Sequence, residues 1–103
     1  MILYTEYTDN GRNFTIHVKG KFDFQLMARF RQAYGGYKPN VVTFTVDFRE
    51  AESIDSAGLG MLLNMRKFLG VAGGEKSIRL IHCREEIRAQ LIRAKFEQLF
   101  EIV

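Results

Sequence analysis

The sequence predicts an α/β domain on a mixed β-sheet, with an N-terminal hairpin and helices packed against the sheet. Three observations carry that prediction. Segments of period-two alternation, rich in β-branched and aromatic residues, recur along the chain. Asn10-Gly11 separates the first two of them and suits the positive φ angles of a tight turn. The later strand-like segments alternate with stretches of helical spacing, as right-handed crossovers between strands of one sheet require.

Ile2–Thr8 and Asn13–Lys19 are the expected hairpin strands, and in the second Phe14, Ile16 and Val18 alternate with Thr15, His17 and Lys19. Asp23 is expected to cap a helix carrying Phe24, Met27, Phe30 and Ala33 or Tyr34 inward, with Gly35-Gly36 as its stop. "NVVTFTVDF" reads as a strand whose Val42, Phe44, Val46 and Phe48 share a face. A helix then runs to about Leu69, burying Leu59, Leu62, Leu63 and the stem of Arg66, and "GVAGGEK" breaks it. "SIRLIHC" is the next strand, "REEIRAQLIRAKF" a helix with Ile87 and Leu91 inward, and "LFEIV" a short edge strand. The order is β-β-α-β-α-β-α-(β).

At 103 residues the chain suits one domain, 1–103, and its 47% apolar and 26% charged composition is that of a folded protein. The net charge of +3 is spread along the chain rather than gathered in a block, which argues against direct nucleic-acid binding. The single cysteine, Cys83, cannot form an internal disulfide and fits a reducing compartment. Glu6 and Asp9 interrupt the N-terminal apolar residues, so no signal peptide is expected. No apolar run approaches the ~20 residues that span a bilayer, so no membrane insertion is expected and a cytoplasmic location is. Arg84, Arg88 and Lys95 are expected on roughly one face of the last helix with Arg93 nearby, either solvated or offered to an acidic partner. Tyr4, Tyr7 and Tyr37 are expected at the surface, where they would be available for self-association.

Little in the chain has the spacing of catalytic chemistry. His17 and His82 are far apart and lack Cys, Asp or Glu at metal-ligand spacing, so no metal site is expected. Cys83 has no evident base and reads as a packing residue. The dinucleotide and phosphate-loop fingerprints are missing, which weighs against nucleotide binding, and no cofactor is implied. "SAGLG" also falls short of a nucleophile elbow, because Ile54 stands two residues before Ser56. Glu85-Glu86 open a helix, where acidic residues suit the dipole. The protein is not expected to be an enzyme.

"SIDSAGLGML", residues 53–62, stands apart. One reading is a capped helix start, with Asp55 or Ser56 accepting from a first-turn N–H for about 1 kcal/mol. Two glycines argue against that reading alone, since each weakens a helix by roughly 0.8–1 kcal/mol relative to Ala. The other reading is a modification site. Glycines leave the backbone open and clear the approach to the Ser56 hydroxyl. A helix N-terminus tolerates a phosphate, which would add about −1.5 to −2 charges and repel a partner docked there.

"VDFREAESIDSAGLGMLL" resembles the signature of STAS domains of the anti-sigma factor antagonist type, whose motif is D-S-[small]-G-L-G after an apolar strand. "VKGKFDF" is similar to the family's G-x-[apolar]-D segment, and "GGEKSIRL" to its glycine pair before a strand. The resemblance implies a single STAS domain acting by partner switching. The unmodified protein would bind an anti-sigma factor that is often a serine-protein kinase, phosphorylation would stop binding, and a PP2C-type phosphatase would restore it. By the same resemblance Ser56 is the phosphoacceptor. Asp23 and Asp55 make up its environment, and Ala57, Gly58, Leu59 and Gly60 belong to the docking surface. Ala57 stands where many relatives have a second hydroxyl, which leaves Ser56 alone within the motif and Ser53 as the runner-up. The family's glycine turn after the last helix is missing from "RAKFEQLF". The same family offers two alternatives: a switch for a non-sigma target such as a biofilm or second-messenger regulator, or a constitutive subunit of a lipid transporter.

Overall fold

The computed structural model describes residues 3–70 and 77–103. Strands β1 (Leu3–Thr8) and β2 (Asn13–Phe22) form the antiparallel hairpin, closed by the pair Thr8–Asn13. Asp9, Asn10 and Gly11 all take positive φ (54°, 57° and 83°), and the Gly11 N–H donates to the Thr8 carbonyl at 3.1 Å. Asn, Asp and Gly are the residues that tolerate this conformation, so the turn is written in the chain.

β3 (Thr43–Ile54), β4 (Ser77–Ile81) and β5 (Glu101–Ile102) complete a five-stranded sheet of order β1-β2-β3-β4-β5, parallel from β2 onward. Helices α1 (Met27–Gly35), α2 (Ser56–Leu69) and α3 (Glu85–Arg93) make the crossovers. From β2 onward each strand lies parallel beside its predecessor and the chain steps the same way across the sheet, so right-handed crossovers put all three helices on one face. Phe14, Ile16, Phe44, Val46, Ile78 and Leu80 point to that face and are buried under Phe30, Leu62, Met65, Ile87 and Leu91. Phe22 meets Phe30 and Phe48 edge-on, with ring centroids 5.0 and 5.4 Å away. Among the described residues no helix is long and apolar enough to cross a membrane.

The mixed sheet, the hairpin, the crossover helices and the short last strand stand as expected, with departures in phase. β2 and β3 run on past Lys19 and Phe48 to Phe22 and Ile54. Two register irregularities, one at Gly20 (φ 82°), let them keep pairing. Val42 is 49% exposed while Val41 is 1% exposed, because β3 begins only at Thr43 and the residues before it turn on hydrogen bonds to the Arg12 carbonyl.

Asp23 caps a 3-10 turn over Phe24–Leu26 before α1 begins. The tighter winding of that turn shifts the helical phase, so Leu26 enters the core while Phe24 (64% exposed) and Met27 stay outside. On α2 the buried arc is Gly58, Met61, Leu62, Met65 and Leu69, so Leu59 is only half-buried and Leu63 is exposed. The Arg66 Nε donates to the Leu99 carbonyl at 3.3 Å. Lys95 lies beyond α3 with φ 62°, in the left-handed conformation a glycine would otherwise supply, so it does not share a helical face with Arg84 and Arg88. Of the three tyrosines, only Tyr4 is exposed. Tyr7 packs on Phe14 and Tyr37 on Phe44. Of "GVAGGEK", only Gly70 lies within the described residues, and its φ of 67° closes α2.

Candidate functional site: the start of helix α2

The parallel register pairs Phe22 with Ile54, so the next residues along each strand, Asp23 and Asp55, leave the sheet side by side at the C-terminal ends of neighbouring parallel strands. Each then caps the helical turn that it opens. The Asp23 carboxylate accepts from the Gln25 N–H at 3.0 Å, and the Asp55 carboxylate accepts from the Gly58 N–H at 2.9 Å. Asp55 is extended (φ −117°, ψ −175°), as an N-cap residue should be, and its carbonyl accepts from the Leu59 N–H at 3.0 Å.

Ser56 is therefore the first helical residue and not the cap. It is exposed, and its hydroxyl has no hydrogen-bond partner among the described residues. The capping oxygen comes from Asp55, so the Ser56 hydroxyl is idle as far as the fold is concerned. Ser53 is exposed too, but its backbone is fixed in the ladder opposite Lys21.

The two glycines have different reasons. A Cβ on Gly58 would collide with the Phe22 carbonyl oxygen and lie within 3 Å of the Ile54 and Phe22 side chains. Gly58 is thus a packing residue that lets α2 rest directly on the end of β2, which corrects the expectation that both glycines keep the surface open. Gly60 is different: an added Cβ would meet nothing within 4 Å. Ala57 and Leu59 are half-buried beside them.

A second polar group lies on the sheet face away from the helices, and sequence reasoning missed it. Parallel pairing sets His17 opposite Asp47 and Asp47 opposite Ile81, with His82 next. The Asp47 carboxylate takes His17 Nδ1 at 3.2 Å on one oxygen and His82 Nδ1 at 3.0 Å on the other, and it also accepts from the Arg49 N–H at 2.9 Å. His82 Nε2 is 2.9 Å from the Arg49 guanidinium, and Tyr4 stacks on His17 with centroids 4.4 Å apart. Burial opposes the charged carboxylate of Asp47. The Arg49 N–H and the two imidazoles outweigh it and hold the group below its usual pKa. Burial also pushes the Cys83 thiol up to about 11, so it stays protonated at neutral pH, in keeping with a packing role. The only sequence signal for this cluster was that polar residues alternate on β2 and β3, and it needs the register to be read.

The fold and the Ser56 corner are those of a STAS domain: a mixed sheet with one helix-covered face and a D-S-A-G-L-G helix start at the ends of its parallel strands. A family model described as Mlab, STAS domain matches residues 6–102, and the chain belongs to the STAS family. A STAS-domain containing protein of Pseudomonas aeruginosa is 42% identical over 94 residues, 90% of each chain.

Among solved structures, an anti-sigma factor antagonist from Mycobacterium paratuberculosis superposes with TM-score 0.77 at 20% identity, covering 97% of this chain and 82% of its own. The Bacillus cell fate determinant SpoIIAA in its phosphorylated form gives 0.64 at 18%, covering 98% and 90%. A sulfate transporter family protein from Wolinella succinogenes gives 0.77 at 15%, covering 94% and 80%. At these identities the likeness is one of fold.

Proposed function

We propose that this protein is an anti-sigma factor antagonist that works by partner switching, with Ser56 as the modified residue and no catalytic activity of its own. The observation that carries the reading is the division of labour at α2. Asp55 caps the helix, so Ser56 has an exposed hydroxyl with no structural task.

Unmodified, the surface around Ser56 and Gly60 would bind an anti-sigma factor of the serine-protein-kinase type in the cytoplasm. A phosphoryl group on Ser56 would add about two negative charges beside Asp55 and remove that partner by repulsion and desolvation. A PP2C-type phosphatase would restore binding by hydrolysing the phosphoserine. Gly60 supports the docking role, because the fold has no steric need for a glycine there. The fold neighbours, one described as an anti-sigma factor antagonist and another as a cell fate determinant in a phosphorylated form, are consistent with this reading.

The test is a pull-down from native lysate with Ser56→Ala and Ser56→Asp as baits, read by mass spectrometry. The expected result is a partner held by the alanine bait and lost by the aspartate bait. Equal retention by both would make the protein a constitutive subunit and sink the switch. A retained partner that controls something other than a sigma factor would keep the switch and change its target.

A further inference from the structure

The outward stripe of α2 continues away from Ser56. Residues 56, 60, 63 and 67 recur at helical spacing, which puts Ser56, Gly60, Leu63 and Lys67 in one line along the helix. Beside that line α2 and α1 leave a groove. Met27, Arg31 and Tyr34 line it from α1, and Asn64, Lys67 and Phe68 from α2. Its apolar side chains are open to solvent: Phe68 is 58% exposed, and Leu63 on the adjoining ridge 42%. The Tyr34 ring, 5.4 Å from that of Phe68, forms the floor.

Charge along these helices is of one sign. α1 carries Arg29 and Arg31, α2 carries Arg66 and Lys67, and neither helix contains an Asp or Glu. Arg31 and Lys67, the two charges lining the groove, have no ion-pair partner among the described residues. In α3, by contrast, Glu85 and Glu86 offset the basic residues.

We infer that the α1–α2 groove is the docking site of an acidic amphipathic helix of the partner protein. This rests on the Ser56 switch proposed above and says what the switch acts on. A helix fits an interhelical groove by laying apolar residues at i, i+3, i+4 and i+7 into it. Here Met27 and Phe68 receive those residues, with Leu63 flanking them on the adjoining ridge, while Arg31 and Lys67 meet carboxylates at the rim. Gly60 lets the incoming backbone pass close to α2 on its way to Ser56. A phosphoryl group at that end of the stripe confronts an acidic helix with charge of its own sign.

The experiment uses the full chain and a fluorescent synthetic peptide, helical in solution, with Leu at i, i+3, i+4 and i+7 and Glu on both flanks of that stripe. Binding is read by polarisation at low and high salt, and the contact surface by amide chemical shifts. The expected result is salt-sensitive binding with shifts on α1 and α2, weakened at least about tenfold, or by about 1.4 kcal/mol, in R31E/K67E. It should be unchanged in R93E on α3, with circular dichroism verifying the fold of each variant. A matched peptide with Lys in place of Glu should bind more weakly.

Absence of binding, full binding by R31E/K67E, or shifts confined to other faces would each overturn the groove. So would the same shifts appearing when the protein alone is concentrated, because the occupant would then be a second copy. Ser56→Asp separates the two proposals. Loss of the peptide in R31E/K67E but not in Ser56→Asp keeps the groove and removes the switch. The reverse pattern keeps the switch and removes the groove.

Discussion

At the start of α2 one carboxylate, Asp55, satisfies the helix and the neighbouring hydroxyl is left over. Around Asp47 both carboxylate oxygens, both imidazoles and the Arg49 guanidinium are tied to one another. The two regions lie on the same strand line, yet they differ in what a change would disturb. A group already engaged in a network around a buried carboxylate cannot be modified without cost to the fold, whereas an idle group on a capped helix can. That contrast, rather than the presence of polar residues, marks Ser56 as the candidate site.

The contrast can be broken or sharpened by substitution, starting with the largest expected effect. Gly58→Ala should destabilise the domain by about 3 kcal/mol or prevent folding, because its Cβ meets the Phe22 backbone and the strand cannot retreat. Urea denaturation of this variant beside wild type measures it, and a loss below about 0.5 kcal/mol, the range of an ordinary surface change, would mean the Phe22 contact has slack.

Asp47→Asn should cost about 2 kcal/mol at neutral pH by removing a charged acceptor shared by three donors. It should also flatten the acid limb of the stability profile. The folded-state pKa of Asp47 lies below the ordinary 3.8, so its contribution is full above that value and is lost as the pH falls through the lower, folded value. Denaturation midpoints between neutral and strongly acidic pH test this, and parallel profiles for the two proteins would rule it out.

Asp55→Ala should cost about 1 kcal/mol, the usual value of an N-cap, and thermal melts suffice to measure it. If Ser56 takes over the cap in that variant, the loss shrinks and Ser56→Ala becomes costly in the same background.

The smallest effects on stability belong to Ser56 and Gly60, at the proposed switch. Ser56→Ala should stay within about 0.5 kcal/mol of wild type. Gly60→Ala should gain up to about 1 kcal/mol from helix propensity, since nothing obstructs the new methyl. A large loss in either would return that residue to a structural role.

Much of the fold and the Ser56 corner was legible in the chain. Asn10-Gly11 announced the hairpin, alternation announced β2 to β4, and D-S-A-G-L-G announced the helix start. What the sequence could not show were effects of phase and register. The 3-10 turn after Asp23 exchanged Leu26 for Phe24 and Met27 in the core, because its shorter winding breaks the 3.6-residue count. The Asp47 cluster joins residues separated by 30 and more positions, and only strand pairing brings them together. The roles of Gly58 and Gly60 look the same on paper. Only the closeness of the Phe22 carbonyl tells them apart.

That closeness bears on how fast and by what means a modification at Ser56 would be felt. With its first turn seated on the strand end and no room for even a methyl group between them, α2 has nowhere to recoil when a bulky anion arrives. The modified and unmodified forms should then superpose, and a partner would sense an altered field rather than an altered shape. A switch of the proposed kind would have no slow rearrangement to wait for, and its timing would be set by the modifying enzymes and diffusion.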